Sequence, residues 1–381
     1  MGAVGPLAGI GPAARACLSA GLLDCPTSLD PSALADEVAM LLSESMAPVA
    51  LAVAERMDGT APDLVAHLRQ VTIEMQVRAM GAELAARRVL SALQRRRIEA
   101  AVIKGPAVAP WHPDGWPRAY SDIDLLVPSD RFDQVIEICH DEGFTEPAST
   151  PPWPWMDAAC KEGVNLHCSR DGGNMDVHHH VPPWVFGTRL TPERVLAASG
   201  WGEMVGHPVR LAAPEHSLVI AALHVLNDLW KGRIGLVSWR DIVVLLPQVG
   251  GDRAEAAFEE VGLGWLLTLV TASLAEALPE VPLPPLVAPR PMPLAVRGRI
   301  AALGWNSDST LTHHRVTFAA RLPIGKAAMF VAGCVVPQPR YVREYYGSYA
   351  KYWRHLLGET VSTVQGADPR MDSVHMTKLE Q

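Results

Sequence analysis

The sequence lacks paired cysteines, clustered positive charge and any apolar run long enough to cross a bilayer, and each absence removes a class of protein. Its six cysteines, Cys17, Cys25, Cys139, Cys160, Cys168 and Cys334, are scattered and form no C-x-x-C pair. Neither a zinc ribbon nor a disulfide framework is indicated, and reduced, mostly buried thiols are the plain reading. The formal charge is −8, with no strongly basic segment. That argues against a broad phosphate-backbone footprint, and so against a long nucleic acid as partner. The local exceptions, Arg87-Arg88 and Arg95-Arg96-Arg97, lie near a predicted helix C-terminus, where the helix dipole alone favours cations. The apolar stretch Ala327 to Val336 contains a glycine and falls short of the roughly 20 residues a membrane helix needs. The N-terminus has no basic flank, and Arg15 and Asp24 interrupt the stretch that follows. The expectation is therefore no membrane span, no signal peptide and a cytoplasmic location. No internal repeat is visible.

What is present is a chain of 381 residues, 49% of them hydrophobic, enough for two or three domains with a sizeable core. The pattern divides it into an N-terminal helical region (1–94), a catalytic domain (95–210), a C-terminal helical domain (211–365) and a flexible tail (366–381). In the first region Asp30-Pro31 reads as an N-cap with proline in the first turn, followed by Leu34, Val38, Leu41 and Leu42 at helical spacing. Ile73, Val77, Met80 and Leu84 continue as a stripe on one long amphipathic helix running to about Ile98. The character then changes. Ala101-Val102-Ile103 is a short buried strand, Lys104-Gly105-Pro106 a turn, Ala107 to Trp111 a short helix, Ser121 to Val127 a second strand, and Arg131 to Glu142 a helix stopped by Gly143. After a Pro- and Trp-rich loop (Pro147 to Trp155), two alternating runs flank Arg170-Asp171-Gly172-Gly173 as a β-hairpin. One face carries Val164, Leu166, Cys168, Met175 and Val177; the other carries Asn165, His167, Asp176, His178 and His180. From Pro214 the pattern is helical, with a Pro-rich linker (Pro279 to Pro293) before a C-terminal helical part that includes Tyr341 to Leu357. The fold class is α+β, a small mixed sheet flanked by helical regions.

The chemistry concentrates in the middle. Asp122 and Asp124 stand two apart in a strand, so their carboxylates share a face while Ile123 points into the core. Hard divalent cations such as Mg²⁺ prefer carboxylate oxygens, and two of them roughly 4 Å apart suit in-line phosphoryl displacement. D-x-D alone is a weak signal. Inside the apolar run Ile123, Leu125, Leu126, Val127, however, the pair would be costly without a cationic ligand. Lys104 can offer a point charge to a triphosphate, and Gly105 lets backbone approach a phosphate closely. Arg118 and Ser121 sit just before the acidic pair, where Arg118 can bind phosphate and Ser121 can fix the strand end, or either can be merely structural. His224 and Asp241 fall on separate predicted helices and could meet across them or line an acceptor pocket. Asp241 is then an alternative general base.

The stretch AVIKGPAVAPWHPDGWPRAYSDIDLLV, Ala101 to Val127, resembles the core signature of the uncharacterised bacterial nucleotidyltransferase family, within the superfamily of DNA polymerase beta and the antibiotic nucleotidyltransferases. Lys104, Gly105, Arg118, Asp122 and Asp124 match its pattern, and Met175-Asp176-Val177-His178 matches its Asp-hydrophobic-His strand. The resemblance continues more weakly at Pro214-Glu215, His224 and Trp239-Arg240-Asp241, so it covers about residues 70 to 250. It implies a nucleotidyltransferase fold with Asp176 as the third carboxylate. It also implies transfer of a nucleoside monophosphate from an NTP, ATP among them, with two Mg²⁺ ions (or Mn²⁺) held by Asp122, Asp124 and Asp176. Lys104, Gly105, Arg118 and Ser121 would serve the nucleotide, and His178, His224 and Asp241 the acceptor pocket. One departure stands out: Lys104-Gly105-Pro106 replaces the usual Gly-Ser pair, so no serine hydroxyl is available there. The acidic balance favours a small-molecule or peptide-derived acceptor. Two other readings compete: a non-catalytic nucleotide sensor with this fold, and a zinc hydrolase built on His167, His178 and His180. Acceptor, preferred NTP and oligomeric state have no signature in the sequence.

Overall fold

The computed structural model describes residues 6–355 except 8, 24–28, 147–152, 154, 155, 157–161, 231, 232, 287, 295, 297–321 and 323. Four helices come first: α1 (Pro12–Ser19), α2 (Pro31–Ser43), α3 (Ala47–Ala54) and α4 (Pro62–Arg95), each with proline in its first turn. Proline is tolerated there because its missing N–H has no partner within the helix anyway. Asp30 caps α2 as the sequence suggests, accepting from the Ser32 N–H.

The sheet follows, with strands β1 (Ala101–Val102), β2 (Asp122–Leu126), β3 (Gly163–Cys168), β4 (Gly173–His178), β5 (Gly200–Met204) and β6 (His207–Leu211). Their spatial order is β3-β4-β2-β1-β6-β5. β2–β4 and β1–β6 are parallel and the other pairs antiparallel, so this is a mixed sheet in an α+β fold. Between β1 and β2 lie two 3₁₀ turns, Gly105–Ala107 and Ala109–Trp111, in place of the expected short helix. Further helices are α5 (Phe132–Asp141), α6 (Trp184–Gly187), α7 (Pro192–Ala198), α8 (Pro214–Trp230), α9 (Leu236–Val249), α10 (Gly251–Glu260), α11 (Gly264–Ala277), α12 (Ile324–Val335) and α13 (Pro339–Tyr345). Among the described residues no helix is long and apolar enough to cross a membrane. The expected tail from 366, and Cys25 and Cys160, lie outside the described residues; Cys17, Cys139, Cys168 and Cys334 are buried and unbridged.

Alternation along β2 sorts the sheet into two faces. Ile123 and Leu125 enter a core with Met175 and Val177 of β4, Val135 and Ile138 of α5, and Ala82, Ala85, Ala86 and Val89 of α4. Leu126 faces the opposite way, into a larger core that joins α1–α3 to α8–α11. The carboxylates of β2 therefore lie on the side of α1–α3 and α8–α11 rather than on that of α4 and α5.

The long helix corrects one sequence expectation. Its existence and length follow the pattern, but Ile73, Val77, Met80 and Leu84 are exposed, between 43% and 62%. The face that packs is the small-residue one. A Cβ on Gly81 would stand 2.5 Å from the Asp171 carbonyl oxygen, and one on Gly173 would stand 2.7 Å from the Gly81 carbonyl oxygen. The β3–β4 turn thus approaches the helix backbone too closely for large side chains, and close packing outweighs the larger apolar stripe. Arg88 locks the contact by pairing with Asp171.

Three charged side chains serve helix ends, where backbone groups lack partners, and two of them, Arg240 and Glu44, tie the N-terminal helices to α9. Glu37 accepts from the N–H groups of Ala13 and Ala14 at the start of α1. Arg240 of α9, 1% exposed, donates to the carbonyls of Cys17, Leu18 and Ala20 at its end. Glu44 accepts from Ile234, Gly235 and Leu236 at the start of α9. Charge and helix dipole agree in sign in all three cases.

Candidate active site

Because β2 and β4 run parallel with Asp124 opposite Asp176, the two carboxylates lie side by side on one face. Asp122 precedes them by one pleat and His178 follows by one. Oδ1 of Asp124 is the centre: it lies 2.6 Å from Nζ of Lys104 and 3.1 Å from Nε2 of His178. Ligand atoms of Asp124, Asp176 and His178 all lie within 4.8 Å of one another, the one such group of three potential metal ligands among the described residues. Asp122 shares the face but stands outside that group. A hard, mixed oxygen and nitrogen set of this kind fits a divalent cation.

The electrostatics follow from crowding like charges in a buried place. For Asp176, burial and the neighbouring Asp124 carboxylate push the carboxyl up to about 6. Burial and Asp124 also raise Asp122. Asp124 is the group kept ionised: burial opposes this, but the Lys104 ammonium and the His178 hydrogen bond outweigh it and hold the carboxyl well below the usual range. Burial would lower Lys104, yet Asp124, Asp122 and Asp176 together hold it above its ordinary value. The face is an anionic cluster with Lys104 in direct contact and Arg118 near enough to act on Asp122, a crowding that favours further positive charge.

The remaining sequence candidates divide. Gly105 has φ +45°, and a Cβ there would meet the Tyr120 ring at 3.3 Å; the turn needs glycine for backbone and packing reasons of its own. Tyr120 in turn hydrogen-bonds Glu83 of α4. Ser121 is half-buried beside Asp122. Arg118, read as a phosphate ligand, is directed elsewhere: its Nε and Nη2 grip Asp241 at 2.8–3.0 Å, and Nη1 donates to the Ala119 carbonyl. His112 completes that bridge with Nε2 3.0 Å from Asp241. Burial opposes ionisation of Asp241, but Arg118 and His112 hold its carboxyl down to about 2. A carboxylate so engaged is a brace, not a proton acceptor. His224 and Asp241 do not meet. His224 Nδ1 instead lies 3.1 Å from Asp228 Oδ2 and 3.2 Å from Ser238 Oγ.

The histidine trio of the zinc reading is not assembled. His178 turns to Asp124, His167 bonds Asn174 on the exposed side, and His180 stacks on Trp184 with ring centroids 4.0 Å apart.

Residues 36–278 match the family described as an uncharacterised nucleotidyltransferase. The chain belongs to that family. The matched region contains the whole carboxylate face, the Lys104 turn and the Arg118–Asp241 brace, so the nucleotidyltransferase match and the site coincide. A search of curated proteins found no match. Among solved structures, a crystal structure of an antigenic nucleotidyltransferase-like protein from Paracoccidioides brasiliensis is similar with a TM-score of 0.35 and 17% identity, covering 54% of this chain and 89% of that one. That overlay is too loose to bear on the site.

Two neighbours of the candidate site escaped the sequence reading. His112 sits in a Pro/Gly/Trp loop with nothing local to mark it. Asp228 did carry a signal: it stands four residues after His224 on one helix, a spacing that puts the two side chains together.

Proposed function

We propose that this chain transfers a nucleoside monophosphate from an NTP to an acceptor hydroxyl or phosphate, releasing pyrophosphate. The observation that carries the reading is the juxtaposition of Asp124 and Asp176 across parallel strands, with Asp122 on the same face, in a chain of the nucleotidyltransferase family. Asp122, Asp124 and Asp176 would hold divalent cations, Mg²⁺ or Mn²⁺, with His178 beside them; such ions neutralise charge on a triphosphate and lower the pKa of an attacking hydroxyl. The chain's own contribution is placement. Lys104 sits where its ammonium can turn from Asp124 to a phosphate oxygen, a point charge on a flexible stem. The Arg118–Asp241–His112 bridge fixes the loop between Lys104 and Asp122, so the two arms of the site keep their spacing. Catalysis then rests on positioning and charge stabilisation in a site facing the helical core.

An acceptor of small size, a metabolite or a peptide-derived compound, fits a chain of net charge −8, since a polynucleotide would need a basic track. The test is pyrophosphate release from each NTP with Mg²⁺, with and without a cell-extract pool of acceptors, in wild type and Asp122→Asn. Release that depends on extract and vanishes in the variant supports transfer. Release that the variant retains for every NTP overturns it.

A further inference from the structure

Transfer to a hydroxyl needs a group that takes the hydroxyl proton, and in the reading above the carboxylates of the sheet would be taken up with divalent cations. The helical wall opposite offers another. His224 of α8 stands between Leu223 and Val225, which pack in the same core as Leu126, on the face of β2 that carries Asp122 and Asp124, and its charge is felt by Asp122. We propose that His224 is the general base for the acceptor hydroxyl, with Asp228 as the residue that positions it; this rests on the nucleotidyl-transfer reading above.

The geometry defines the tautomer. An ionised carboxylate can only accept, so the 3.1 Å contact of Asp228 Oδ2 with Nδ1 places the imidazole proton on Nδ1. The Ser238 hydroxyl oxygen, 3.2 Å from the same nitrogen, steadies the ring from α9. Nε2 is left with its lone pair and has no hydrogen bond to protein among the described residues, on a side chain that keeps 24% of its surface exposed. Asp228 itself is 3% exposed. Its second oxygen is held by Arg233, and its first lies 2.7 Å from where a Cβ on Gly235 would be. Gly235, at φ +74°, leaves room for that carboxylate, and Glu44 anchors the same turn by accepting from the Gly235 N–H. A buried carboxylate with one arm on an arginine and the other on a histidine is the arrangement that orients a base and stabilises its protonated form.

His224 contacts Asp228 on its own helix and Ser238 on α9; the other charges that act on it are Lys104 after β1 and Asp122 and Asp124 on β2, with Arg233 behind Asp228. Burial and Lys104 lower its pKa, while Asp228 and Asp124 act the other way. The net direction is downward, so the ring is neutral and able to accept a proton at neutral pH. The step balances. The acceptor oxygen bonds to the α-phosphorus of the NTP as its proton passes to Nε2, and the bond from that phosphorus to the bridging oxygen breaks. Its electron pair leaves with pyrophosphate, and the imidazolium returns its proton to solvent.

The experiment measures Mg²⁺-dependent pyrophosphate release with ATP and the extract acceptor pool from pH 5 to 9 in wild type, His224→Gln, His224→Ala and Asp228→Asn. Asp122→Asn serves as the null, and near-UV circular dichroism establishes that each variant is folded. A general base contributes on the order of 100-fold or more, so His224→Gln should lose about that factor and its acid limb. Added imidazole should restore part of the rate in His224→Ala but not in Asp122→Asn. Asp228→Asn, which removes the charge behind the ring, should displace the acid limb rather than erase it. Folded His224 variants that keep the wild-type profile, or a loss that imidazole leaves untouched in His224→Ala while His224→Gln stays active, would overturn the proposal. If no release in wild type depends on Asp122, the nucleotidyl-transfer reading falls, and this inference with it.

Discussion

Replacing Asp241 by Asn should destabilise the fold strongly. Asp241 is 3% exposed and is gripped by two nitrogens of Arg118 and by His112. Asparagine keeps the shape but removes the charge, leaving the Arg118 guanidinium, whose side chain is only 7% exposed, without a counter-ion. Breaking one side of a buried pair costs about 3–5 kcal/mol, against a typical domain stability of about 5–15 kcal/mol. The pH dependence gives a second, independent figure. The folded carboxyl titrates at about 2 against an ordinary 3.8; a difference of about two units is worth roughly 2–3 kcal/mol. Because the folded value is the lower one, this contribution is fully present above the ordinary value and is lost as pH falls from about 4 toward 2. Urea unfolding followed by fluorescence at pH 7 and at pH 3 measures both. The expected result is a stability loss of about 3 kcal/mol or more for Asp241→Asn at pH 7, with a smaller gap between variant and wild type at low pH. A loss under about 1 kcal/mol at pH 7, or a gap that widens on acidification, would refute the reasoning.

Arg240→Met should detach the end of α1 by removing the three hydrogen bonds that Nη1 and Nη2 donate to its C-terminal carbonyls; hydrogen exchange should rise in residues 12–20 before it rises in the sheet, and uniform protection across α1 would contradict this. Gly81→Val should cost several kcal/mol, because its Cβ would sit 2.5 Å from the Asp171 carbonyl oxygen and neither backbone can yield; a thermal midpoint within a few degrees of wild type would show that the helix and the β3–β4 turn can part without cost.

Local chemistry was legible wherever a short stretch of chain decides it. The alternation around Ile123 fixed the shared face of Asp122 and Asp124, the Asp171-Gly172 turn gave the β3–β4 hairpin, and Asp30-Pro31 gave the start of α2. What was not legible depends on partners far along the chain. The β5–β6 hairpin turns at Val205-Gly206, both at positive φ, a tight-turn conformation that valine rarely marks, and β6 joins the sheet beside β1 by a pairing that no local signal announces. The stripe of Ile73, Val77, Met80 and Leu84 announced a helix correctly and its buried face wrongly, because the approach of Gly173 to Gly81 rewards small residues over large ones. Arg118 stood beside the acidic pair in sequence, but its partner was Asp241, more than a hundred residues on. The converging residues of the site were thus visible singly, while their bridges depended on the fold.

The most direct measurement follows the two ends of the triphosphate. NTP labelled with ³²P at the α position and, separately, at the γ position should be incubated with the protein, Mg²⁺ and the acceptor pool. Nucleotidyl transfer by the Asp122, Asp124 and Asp176 face predicts that only the α label enters an acceptor, that the γ label leaves as pyrophosphate, and that Asp124→Asn abolishes both. Entry of the γ label into an acceptor, or α labelling that Asp124→Asn leaves intact, would contradict it.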